Sequence, residues 1–139
     1  MYQIAQDNGR TGHNPSALEA KIYLGLKKGY DGFTQEKQAV LNFLTGLYTE
    51  ALTAGRGYVA FVIADAVITY AYKSGDQVVA MHEPSLVLSS TQSPLYTTES
   101  DDEWKDSVEG YATKLAAEFQ QFRVYVTYSP AEIKIFQQS

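Results

Sequence analysis

Histidine and arginine are the side chains through which this protein could do chemistry, and both are scarce. His13 and His82, with Arg10, Arg56 and Arg123, are all that 139 residues contain. His82 stands beside Glu83, a base next to an acid. On a strand, however, neighbouring side chains point to opposite faces, so such a pair does not readily form a dyad. The preferred reading leaves them as a polar pair where a strand ends before Pro84, with a nucleotide hydrolase built on His82 and Glu83 as the weaker one. His13 falls in a polar lead-in where nothing would hold it in catalytic geometry.

The motifs that would support an enzyme are missing. There is no H-E-x-x-H, no G-x-S-x-G and no spaced ligand set for zinc or calcium. The absence of cysteine removes thiolate metal sites, cysteine nucleophiles and disulfides. The expectation is a protein that is not an enzyme and needs no cofactor or metal.

Arginine points elsewhere. Arg56 lies between Gly55 and Gly57 at a helix-to-strand turn, where backbone N–H groups and a guanidinium can converge. Arg123 follows Gln120-Gln121-Phe122 and opens a strand. The chain holds 11 tyrosines, with Tyr30, Tyr72 and Tyr96 in or beside loops. Arginine grips phosphate in a fixed fork and stacks on rings, so tyrosine beside arginine suits a base-and-phosphate ligand such as a nucleotide. The plainer alternative is that arginines cap helices or pair with surface acids while tyrosines fill sheet faces.

The stretch AKIYLGLKKGYDGFTQEK, residues 20–37, raises the same question. Its glycines fit neither the P-loop nor the G-x-G-x-x-G spacing. What remains is a strand, a loop with Lys27, Lys28 and Tyr30, and the positive end of a helix, which favours anions. An ordinary polar turn is the alternative.

The elements that must position these residues follow from periodicity. Residues 1–19, with Asn8-Gly9 and Asn14-Pro15, read as a flexible N-terminal arm. A strand is expected over 20–27. A helix should run from Thr34 to Ala54, with Val40, Phe43, Leu44, Leu47 and Ala51 at helical spacing. Residues 58–73 are rich in β-branched and aromatic side chains, with a bulge expected at Ala64-Asp65-Ala66 that turns Asp65 to solvent. A hairpin turn at Ser74-Gly75-Asp76 leads to a strand over 77–83 that stops at Pro84. Residues 85–101 read as a polar connection in which LVL, 86–88, could add a short edge strand. A second helix over 102–121 carries Trp104, Val108, Tyr111, Leu115 and Phe119 as its apolar stripe, and a hairpin through Ser129-Pro130 closes the chain. The order β-α-β-β-α-β-β predicts a single α+β domain over 20–139, a mainly antiparallel sheet with two helices on one face.

Charge narrows the partners. A net charge of −5 disfavours duplex nucleic acid, which wants a basic face, yet leaves room for a small anion held by two or three cations. The first residues contain no apolar leader segment, and no run of about 18 apolar residues occurs, so a cytoplasmic protein without a membrane span is expected.

Two segments, AKIYLGLKKGYDG (20–32) and QFRVYV (121–126), carry a resemblance. They are similar to A-K-I-Y-x-G-L-K-x-G-Y-D-G and Q-Y-R-V-x-V in a group of small phage proteins, the anti-Thoeris nucleotide sponges. Those proteins sequester cyclic ADP-ribose-type signals, and some sequester cyclic oligonucleotides, so that bacterial immune effectors stay silent. The resemblance spans most of 20–136 in element order. It implies a homo-oligomer in the host cytoplasm, with pockets of arginines and aromatics that bind without turnover. Arg123 would contact phosphate or ribose, and Tyr30 matches the tyrosine of the G-Y-D-G segment. Where the group has an Asn-Tyr-Pro-Arg-type run, this chain has His82-Glu83-Pro84-Ser85, so Tyr96 is expected to substitute. The expected ligand site is therefore Arg123, Arg56, Tyr30, Tyr96 and His82. The rival expectation is an acidic interaction module that inhibits a host protein.

Overall fold

The computed structural model describes residues 1–28 and 32–139. In chain order its elements are β1 (Tyr2–Ile4), β2 (Gln6–Asp7), β3 (Arg10–Thr11), β4 (His13–Gly25), α1 (Lys37–Thr53), β5 (Val62–Ser74), β6 (Gln77–Thr91), α2 (Asp101–Glu118), β7 (Tyr125–Lys134) and β8 (Phe136–Gln138).

Strand alternation divides β4. Ala20, Ile22 and Leu24 are buried on one face, while Lys21 and Tyr23 lie half-buried on the other. β6 pairs along β4 with Ile22 opposite Leu88 and Leu24 opposite Leu86, so their apolar faces coincide. β5 pairs with the outer side of β6, and β7 with the free side of β4, giving an antiparallel sheet of order β5-β6-β4-β7. This is the split β-α-β arrangement, in which each helix crosses over one intervening strand. α1 contributes Val40 and Leu44, and α2 contributes Trp104, Val108, Ala112 and Leu115, to one cluster with the buried residues of β4 and β6. The α+β architecture, with two helices over one face of an antiparallel sheet, is as expected.

α2 begins with a reciprocal capping box. Ser100 accepts from the Glu103 N–H at 3.2 Å, and the Glu103 carboxylate accepts from the Ser100 N–H at 3.1 Å. α1 begins later than periodicity implied, because Thr34 is held in a bridge to Lys27 and Glu36 occupies the cap position.

Several boundaries differ from the sequence expectation. The stretch 1–19 is not a bare arm: it holds β1 to β3 and the first residues of β4, with β1 paired to β8. β5 carries no bulge, since it pairs in unbroken register from Val62 to Ser74. Asp65 is nevertheless exposed, 3.3 Å from Lys37 of α1. β7 runs straight through Ser129-Pro130, because it is an edge strand and a missing donor can face solvent there. Pro15 sits within the register shift between Asn14 and Ala17 on β4.

The largest difference is β6, which continues through Pro84 to Thr91. Residues 85–91, expected as a connection with at most a short edge strand at 86–88, pair with β4 in the middle of the sheet. The reason is local. The Leu26 N–H donates to the Pro84 carbonyl at 3.1 Å, and in an antiparallel pair the return bond would come from the N–H that proline lacks. The Leu26 carbonyl accepts instead from the Gln35 N–H at 2.6 Å, so no backbone group is stranded.

Candidate functional site: a cleft on the open sheet face

The face of the sheet away from the helices carries a cleft of about 260 Å³. Alternation assigns its floor: Tyr23 and Gly25 from β4, Ile68 and Tyr70 from β5, Glu83 from β6 and Tyr125 from β7. Gln121, Phe122 and Arg123 complete it from the segment between α2 and β7.

That segment is aimed by the way α2 ends. Gln120 adopts φ 50, the left-handed conformation of a helix-terminating residue. The Gln120 N–H returns to Ala117 at 3.3 Å and the Gln121 N–H to Ala116 at 2.9 Å, the bond pattern of a Schellman motif. The chain therefore turns back across the end of β4. Gln121 is pinned there by its side chain, whose Nε2 donates to the Lys27 carbonyl at 2.7 Å and the Phe119 carbonyl at 2.9 Å. A Cβ on Gly25 would lie 2.6 Å from Gln121 Oε1, so a larger residue there would make the Gln121 amide shift.

Glu83 is the single carboxylate and Arg123 the single cation among the lining residues. Neither forms a hydrogen bond or an ion pair with a described residue; the Arg123 guanidinium lies 5.5 Å from the centre of the Phe122 ring. Tyr70 stacks on Tyr72 at 6.4 Å. The cleft thus offers aromatic rings, one negative and one positive group, and an amide oxygen.

The five residues expected to form one site are not brought together. Arg123 is in the cleft. Arg56 lines a different cavity of about 200 Å³ with Tyr58, Tyr111 and Lys114, and Tyr96 lines an adjoining one of about 480 Å³ with Trp104. Around the first of these, Tyr48 packs 4.9 Å from Tyr58 and 6.0 Å from Tyr111, and burial pushes the Tyr48 hydroxyl up to about 12. His82 is exposed on the face of β6 opposite to Glu83, as alternation requires. Tyr30 lies outside the described residues. The cleft residues that sequence reasoning missed are Tyr23, Tyr70, Gln121 and Tyr125, with Glu83 considered only alongside His82. The readable signal was parity, since Ile68 and Tyr70 share a face with Glu83 once the Gly75-Asp76 turn sets the register.

Among the described residues, no group of three or more His, Cys, Asp or Glu side chains gathers to hold a metal. No helix among the described residues is long and apolar enough to cross a membrane.

No protein-family model matches the chain, and no curated protein does. Among solved structures it is similar to a phage SAM lyase in complex with S-methyl-5'-thioadenosine, with a TM-score of 0.58 at 16% identity over 88% of this chain and 91% of that one. A phage SAM lyase in the apo state matches with a TM-score of 0.57 at 16% identity, over 91% and 94% of the two chains. The likeness is one of fold. It nonetheless overturns the expectation of a non-catalytic cyclic-nucleotide sponge, and of a chain that is not an enzyme, because the protein sharing this fold is an enzyme.

Proposed function

We propose that this protein is an enzyme acting on a sulfonium nucleoside of the S-adenosylmethionine type, splitting the bond between sulfur and the amino-acid chain to release methylthioadenosine. The observation that carries the reading is the cleft, which combines aromatic rings with Glu83 and Arg123, neither ion-paired among the described residues, on a fold shared with a SAM lyase. A sulfonium is a permanent cation without an N–H, so it cannot be held by hydrogen bonds. Ring faces are what attract it, and Glu83 adds a negative field that favours a cationic substrate in the same cleft. Arg123 supplies the fork that a substrate carboxylate fits. At about 260 Å³ the cleft encloses the sulfonium and amino-acid end, with the nucleoside reaching out over the tyrosines.

The chemistry needs no nucleophile from the protein. The substrate's own carboxylate oxygen bonds to the carbon next to sulfur, and the C–S bond breaks with its electron pair going to sulfur. A five-membered lactone and neutral methylthioadenosine result. Two opposite charges vanish along this path, so an aromatic cleft that displaces water favours it over the same reaction in bulk solvent. Such an enzyme requires no His-Glu dyad, consistent with His82 facing away. The exposed Val62, Tyr72 and Tyr125 would let other copies of the chain cover the open face, and the working compartment would be the host cytoplasm.

The test is incubation of the purified protein with S-adenosylmethionine, followed by chromatography with mass detection. Methylthioadenosine and the lactone should form in equal amounts, and Arg123→Ala should slow their formation at least tenfold. Recovery of all the S-adenosylmethionine unchanged would refute the activity.

A further inference from the structure

Gln121 and Glu83 present two hydrogen-bond acceptors to one spot over Gly25, with no donor to either among the described residues. The orientation of the Gln121 amide is fixed by its surroundings. Nε2 faces the carbonyls of Lys27 and Phe119 at 2.7 and 2.9 Å, and an oxygen placed there would meet two other oxygens. Oε1 must therefore point the other way, over Gly25. The position of a Gly25 Cβ lies 2.6 Å from Gln121 Oε1 and 3.8 Å from Glu83 Oε1, so both oxygens border one spot on the cleft floor. Neither oxygen receives a hydrogen bond from a described residue. Water reaches both acceptors, and a guest that brings several donors can replace it at both together; a carboxylate beside an amide oxygen favours a positive one.

We infer that Gln121 and Glu83 together bind the α-ammonium group of the substrate, and that Gln121 is a specificity residue for it. The inference rests on the function proposed above. A sulfonium has no N–H to donate to Gln121, whereas an ammonium carries three. The substrate is thereby read at three chemically distinct points: its ammonium over Gly25, its carboxylate at Arg123 and its sulfonium against the rings. The class selected is a sulfonium nucleoside with a free amino group. Acylated or deaminated forms are disfavoured. Gly25 belongs to the device, because a methyl group there would push Gln121 Oε1 away from the spot it shares with Glu83.

The test compares kcat/KM for S-adenosylmethionine with that for its analogue lacking the amino group, which can still close the lactone. The wild-type protein should prefer the amino compound by at least tenfold. Gln121→Met should cut that preference about tenfold, the loss expected for one hydrogen bond to a charged group. Gly25→Ala should act in the same direction with Gln121 still present. Because Gln121 also anchors the backbone, both substrates should slow in Gln121→Met, and the ratio separates recognition from scaffolding. A ratio equal to the wild type's in both variants would overturn the ammonium assignment while leaving the lyase reading intact. If the wild-type protein consumes neither compound, the proposed function itself fails and this assignment with it.

Discussion

His82 and Glu83 are adjacent in sequence, yet they leave β6 on opposite faces, His82 opposite Thr69 and exposed, Glu83 opposite Ile68 and lining the cleft. Removing each therefore has a different consequence. Glu83→Gln keeps the shape but deletes the one negative charge among the described lining residues, which should cost roughly 2–3 kcal/mol of binding to a cationic substrate, about a hundredfold in kcat/KM. His82→Ala should stay within about twofold of wild type. Equal losses in the two variants, measured by methylthioadenosine release, would mean that the cleft is not the site.

How much of this was legible beforehand depended on which physical signal dominated. The helices were readable because Trp104, Val108, Leu115 and Phe119 recur at helical spacing, and all are buried. The β5–β6 turn was readable from Gly75, whose φ of 64 suits the first residue of a two-residue hairpin loop. Pro84 misled, because its lost donor is compensated by Gln35, a residue with no local relation to it in sequence. The cleft was invisible for the same kind of reason. Gly25, Glu83 and Gln121 come from three separated segments, and only sheet register and the turn at Gln120 bring them together. Arg123 was found because arginine is rare, not because its neighbours could be foreseen.

The central place of 85–91 can be tested by stability. Leu88 is fully buried opposite Ile22, where a loop residue would have been partly free. Leu88→Ala should destabilise the fold by roughly 2–5 kcal/mol, the range for a large-to-small change in a packed core. Denaturant unfolding followed by circular dichroism reads this directly. A loss below about 1 kcal/mol would place that segment outside the core.

The capping box at α2 predicts a smaller effect. Ser100→Ala removes the acceptor for the Glu103 N–H and should cost about 1 kcal/mol, lowering Tm by roughly 3–5 °C. The same change removes one cause of the lowered Glu103 pKa, since the Ser100 backbone and, less strongly, its side chain hold that carboxyl below its usual range by hydrogen bonding. Carboxyl-selective NMR titration should find the Glu103 midpoint moving up in Ser100→Ala. A midpoint that stays put would show that the box does not persist in solution.

Alkaline pH tests the tyrosine cluster beside Arg56. Burial is the main cause that raises Tyr48 to about 12, and Tyr111 is raised in the same direction by its own burial. In the unfolded chain a tyrosine ionises near pH 10. Below that value both states keep the proton, and the stability linked to the neutral hydroxyl is fully present. Between about 10 and 12 the unfolded chain loses the proton while folded Tyr48 retains it, so rising pH favours unfolding across that window. Tm should therefore fall progressively above pH 10, and Tyr48→Phe, which cannot ionise, should make the fall shallower. Thermal melts at half-unit steps from pH 9 to 11.5, with tyrosinate absorbance recorded in parallel, measure both slopes. Identical slopes in the two proteins would mean that Tyr48 is open to water in the folded state and that the ring cluster around it is not packed.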